Sequence, residues 1–68
     1  MTKEQTFLTD NLLADLLQII MEDRNVDMQS ALDILYNSHL YAQITDPETG
    51  LYIQSADYNY ELLREELK

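Results

Sequence analysis

The 68-residue chain has no cysteine, one histidine, one proline, one glycine, and four basic residues against thirteen acidic ones. Without cysteine there is no disulfide and no thiolate metal site, and a lone histidine cannot complete a structural zinc centre, which needs several strong ligands. A single glycine excludes a glycine-rich phosphate loop, and neither a nucleophile elbow nor a Walker pattern occurs. Four bases cannot assemble the patch that a phosphate backbone or an anionic lipid surface requires, so neither nucleic acid nor membrane is expected as a partner. The leucine-rich stretch near the N-terminus is broken by Asp10, Asn11, Asp15 and Gln18. Neither a signal h-region nor a membrane span fits that pattern. The lack of cysteine suits a reducing compartment, and a cytoplasmic protein is expected.

What is present is a small acidic chain of formal net charge -9. It is too short for two domains, so residues 1–68 are read as one, of a size at which a single core only just offsets the entropy of ordering the chain. The helpers that such domains use are disulfides, metals or a second chain, and only the last is compatible with this composition. Acids outnumber bases in both halves. That balance serves solubility, and it would also favour a basic protein partner.

Helical periodicity dominates. Thr2-Lys3-Glu4-Gln5 has the spacing of a capping box and opens a helix that runs to about Arg24. With residues placed about 100° apart, Leu8, Ile19, Leu12, Leu16, Ile20, Leu13, Leu17 and Met21 fall in one apolar arc of roughly 220°. A helix lying on one layer needs little more than about 100°. The excess predicts a homodimer in which Leu12, Leu13, Leu16, Leu17 and Ile20 of two chains meet. A second helix is predicted from Met28 to about Asn37, started by Asp27, and a third from His39 to about Ile44, capped by Ser38. Asp46-Pro47-Glu48-Thr49-Gly50 is the clearest turn. Residues 51–54 read as a short extended segment, and Ser55 caps a last helix from Ala56 to about Leu67. The fold class is mainly α, a small bundle of three to four helices.

Few residues tempt a chemical reading. Asp23, Asn25 and Asp27 alternate as in the start of a calcium loop, but the glycine position holds Met28 and the bidentate glutamate position holds Ile34, so a helix connection is expected instead. His39 adjoins Ser38, yet neighbours on a helix point about 100° apart and lack an orienting acid. Asp46 and Glu48 flank Pro47 in a turn, where Asp ordinarily accepts backbone hydrogen bonds. No catalytic, metal or cofactor-binding residue and no cofactor is expected. Five tyrosines, Tyr36, Tyr41, Tyr52, Tyr58 and Tyr60, crowd the second half and suit a core rim or a protein contact.

Several segments of that second half together carry a resemblance. Ala31-Leu32, Leu35-Tyr36, Ser38 and Leu40-Tyr41 are followed by Asp46-Pro47-Glu48-Thr49-Gly50-Leu51-Tyr52, Gln54-Ser55 and Tyr58, Tyr60-Glu61-Leu62-Leu63. From Ala31 onward the chain resembles a family of short uncharacterised bacterial proteins, a domain of unknown function sometimes encoded near candidate toxin genes. The resemblance implies a small helical companion protein of bacterial origin and gives no residue a role. The expected function is a small, acidic, non-enzymatic protein–protein interaction module that self-associates. The alternative is an antitoxin-like or regulatory subunit that covers a basic partner protein.

Overall fold

A computed structural model describes residues 1–68 as four helices, α1 (Lys3–Arg24), α2 (Met28–Tyr36), α3 (His39–Ile44) and α4 (Ala56–Glu66), with two 3₁₀ turns between α3 and α4. There is no strand. At about 1.5 Å per residue the 22 residues of α1 span about 33 Å. That is the longest dimension of the molecule, 33 Å, so the other elements all lie along one helix.

Each start signal works as its chemistry dictates. At the head of α1 the Gln5 amide donates to Thr2 Oγ1 at 3.1 Å, while the Thr2 amide donates to Gln5 Oε1 at 2.9 Å. Asp27, Ser38 and Ser55 accept from the amides of Ser30, Tyr41 and Tyr58 at the heads of α2, α3 and α4. These bonds satisfy amides that the first helical turn leaves without an internal partner. Asn25 ends α1 in the left-handed conformation at φ 54°, which a short polar side chain tolerates.

The core consists of Leu12, Leu16 and Ile20 from α1, Ala31 and Leu35 from α2, Leu40 and Ile44 from α3, and Tyr60 and Leu63 from α4. Helix α1 packs against α2, α4 and the second 3₁₀ turn, and α3 closes onto α4. Glu66 secures that last junction. Its carboxylate accepts from the amides of His39 at 2.7 Å and Leu40 at 3.0 Å. An anion here faces the positive end of α3 and takes two of its free donors.

The extended segment expected at residues 51–54 is corrected by the structure. Leu51–Ile53 is a 3₁₀ turn, and only Gln54, at φ -84° and ψ 159°, is extended. Gly50, at φ 70° and ψ 5°, folds the chain back after the first 3₁₀ turn, Pro47–Thr49. The Ile53 and Gln54 amides then reach the carbonyls of Gly50 and Leu51 at 3.3 and 3.1 Å. A four-residue strand would have left those groups without a neighbour, whereas winding satisfies them locally. Buried Asn59 fixes the turn to α4, its Nδ2 donating to the Leu51 carbonyl at 3.1 Å and to that of Ser55 at 3.0 Å.

Two stability predictions follow from this geometry. A Cβ at Gly50 would meet nothing within 4 Å, so Gly50→Val suffers only backbone strain and loses about 1 kcal/mol in urea unfolding. An unchanged midpoint would show that the left-handed conformation is not required. Glu66→Ala removes both acceptors from α3 and is expected to cost roughly 1 kcal/mol. Glu66→Gln should cost less, because its amide oxygen still accepts.

Candidate functional site

The residues expected at a dimer contact divide into two groups. Leu12, Leu16 and Ile20 are 5%, 0% and 0% exposed; Leu16 and Ile20 cannot reach a second chain without opening the core, and Leu12 shows only an edge. Leu13 and Leu17 are half-buried and pack against the core edge. The wide apolar arc of α1 is therefore largely covered within the chain, since α2, α4 and the 3₁₀ turn approach it from different sides.

Among the apolar side chains that stay open, the most exposed lie near the start of α1 and on the second 3₁₀ turn. Phe7 is 67% exposed, Ile53 64% and Leu8 41%. Two depressions border them. The larger, about 460 Å³, is lined by only Lys3, Glu4, Phe7 and Leu8; it belongs to one helical turn and encloses nothing. The smaller, about 340 Å³, is a groove between α1, the second 3₁₀ turn and the head of α4. Leu8, Leu12, Ile53 and Ala56 give it apolar walls, and Asp15 and Gln54 contribute polar groups. Across the same junction Gln5 Nε2 donates to the Tyr52 hydroxyl at 3.3 Å, which ties the 3₁₀ turn to α1 beside the groove.

Electrostatics separate this side of the molecule from the rest. On the helical wheel Glu4, Asn11, Asp15, Gln18 and Glu22 fall within about 60° of one another, next to Leu8. All five are exposed. Arg24 points to the opposite flank, and Lys3 stands beside Phe7, on the far side of Glu4 from Leu8. On α4 and just beyond it the bases pair with acids of the same helix, Arg64 with Glu61 at 2.9 Å and Lys68 with Glu65 at 3.0 Å. No base lines the groove.

The side chains with possible chemistry are occupied structurally. Asp23 accepts from the Tyr60 hydroxyl, Asn25 caps α1, and Asp27 caps α2. The Ser30 backbone amide, bonded to Asp27 Oδ1 at 2.9 Å, holds that carboxyl below its ordinary value. Ser38 Oγ donates to the Leu35 carbonyl and accepts from Tyr41, so it makes no pair with His39, whose side chain is exposed. No three His, Cys, Asp or Glu side chains are grouped so as to hold a metal ion. No helix is long and apolar enough to cross a membrane. Among the tyrosines only Tyr60 is in the core; Tyr41 and Tyr52 are half-buried, and Tyr36 and Tyr58 are exposed. Tyr36 and Tyr41 form a tilted pair, with ring centroids 4.9 Å apart and planes at 50°.

The α1 groove was not singled out in the sequence. Leu8 lay in the predicted arc, but Ile53 is forty-five positions away and reaches it only through the 3₁₀ turn. Comparison of the chain with family models, with curated proteins and with solved structures finds no match.

The Tyr60 and Asp23 pair has a consequence at alkaline pH. Burial first, and then the bond to Asp23, raise the Tyr60 hydroxyl above its ordinary value of 10.0. The unfolded chain then loses this proton at lower pH than the folded one, so the stability contribution is complete below about pH 10 and is lost as pH rises through the folded value. Urea midpoints should fall over that window, and Tyr60→Phe should remove part of the slope. An identical slope in the variant would assign the loss to other groups.

Proposed function

We propose that this chain is a small, acidic, non-enzymatic protein–protein interaction module of the cytoplasm that covers a basic partner protein, in the manner of an antitoxin-like or regulatory subunit. The observation that carries this reading is the joining of an exposed apolar surface, Phe7, Leu8 and Ile53, to a flank of α1 that bears Glu4, Asp15 and Glu22 and no base. An apolar contact supplies affinity, and a one-signed border supplies steering and choice of partner. The resemblance to small bacterial companion proteins agrees with such a role.

A second reading is self-association as a homodimer, favoured by the 67% exposure of Phe7. The contact would then lie at Phe7 and Leu8 instead of Leu12, Leu16 and Ile20. Against it stands the net charge of -9, which a dimer doubles.

The chain by itself is expected to scatter light as an 8.0 kDa species at tens of micromolar. Coexpressed with a basic partner protein, it should form a complex of fixed stoichiometry whose association slows as salt rises. DNA, RNA and anionic vesicles should not be retained at about 0.15 M salt. A stable homodimer that captures no basic protein would select the second reading, and tight nucleic-acid binding would overturn both.

A further inference from the structure

The groove between α1 and the second 3₁₀ turn can be assigned an occupant by its size, its walls and its charge. Its volume, about 340 Å³, is at the low end of the roughly 300–1,000 Å³ of small-molecule sites, which also bury most of their ligand. This one is open along its length and leaves a ligand largely in water. It has room for one or two aliphatic side chains presented by a larger molecule.

The walls match that use. Leu8 and Leu12 form one side, Ile53 and Ala56 the other, and the position of Ile53 is secured from both directions. Asn59 holds the preceding turn to α4 through the Leu51 carbonyl, and Gln5 holds Tyr52 to α1. The groove is thus built before anything enters it, and little ordering cost falls on binding.

Charge decides between occupants. Asp15 lies in the groove, and Glu4 and Glu22 continue the same flank of α1, over about 27 Å from end to end at 1.5 Å per residue. Asp57 adds a further carboxylate in the first turn of α4. Of the four bases, Arg24 projects from the opposite flank of α1, Lys3 stands beside Phe7 outside the groove, and Arg64 and Lys68 are paired with Glu61 and Glu65. A second copy docked here would set this acidic border against its own likeness, and like charges across an interface are unfavourable. A segment with the opposite charge gains from the same border.

Resting on the reading of the chain as an interaction module, we propose that this groove is the docking site for an amphipathic segment of a partner protein that inserts one or two aliphatic side chains between Leu8 and Ile53 and sets Lys or Arg against Asp15, Glu4 and Glu22. The segment is a helix-in-groove ligand, with its apolar anchors on one face and its bases beside them.

The site can be probed without knowing the partner. The ¹⁵N-labelled chain is titrated with a synthetic amphipathic Leu/Lys peptide of about 15 residues, long enough for a marginal helix. Two controls are a Leu/Glu peptide of the same pattern and a Lys/Ser peptide of the same charge without apolar anchors. The Leu/Lys peptide should bind saturably at physiological salt and move the amides of Leu8, Asn11, Asp15, Ile53 and Ala56. Asp15→Lys should weaken it about tenfold, the scale of one close interfacial charge pair, and Ile53→Ser should abolish saturation. Both positions are exposed, and circular dichroism checks that the variants fold. Equal binding by the Lys/Ser peptide, indifference to Asp15→Lys, or no binding at all would overturn the groove assignment. Binding centred on another face would do the same while leaving the interaction-module reading intact, and that reading fails separately if no basic protein forms a complex with the whole chain.

Discussion

Leu12, Leu16 and Ile20 stand four residues apart on α1, and α2, α4 and the second 3₁₀ turn are placed by packing on the line they make, with α3 closed onto α4. Each buried aliphatic side chain is worth about 1.5–3 kcal/mol when withdrawn from water. The partners are short: α2 has nine residues, α3 six and α4 eleven. Helices below about 12–15 residues are marginal in water on their own. They exist because α1 offers them a continuous apolar surface, and they keep their order along it because their ends are tied by Asp23, Asn59 and Glu66.

That dependence explains what could be read from residues and what could not. Capping is local: Thr2 with Gln5, Asp27 with Ser30, Ser38 with Tyr41 and Ser55 with Tyr58 all act across three positions, so the helix starts were visible in the chain. The turn at Asp46 to Gly50 was visible for the same reason. The course of Leu51 to Ile53 was not, because four residues rich in aromatic and branched side chains suit a strand until Gly50 turns the backbone and Asn59 takes the Leu51 carbonyl. The candidate contact shows the same limit. Periodicity counted the apolar width of α1 without knowing how many sides the chain would cover, so Leu12, Leu16 and Ile20 looked free when α2, α4 and a 3₁₀ turn enclose them. Tyr60 with Asp23 and Glu66 with α3 join residues dozens of positions apart, and no local pattern announces such pairs.

The groove is a product of the same event that removed the strand. An extended Leu51 to Gln54 would have carried alternate side chains to opposite faces. Winding instead sets Tyr52 against Gln5 and leaves Ile53 facing out beside Leu8. One glycine conformation thus accounts for both the compact connection and the apolar wall opposite α1. The acidic border was already implicit in the helical spacing of Glu4, Asp15 and Glu22, and it becomes a directed feature only when the bases are drawn elsewhere.

Glu66 gives the molecule a temporal order. Helices α1 and α2 are neighbours in the chain and pair across the short turn at Asn25. Helix α3, however, has six residues and receives the carboxylate for its first two amides from a position 26 and 27 residues farther on. Until residue 66 docks, α3 frays at its head, so the pairing of α3 with α4 is the step that seals the middle of the chain.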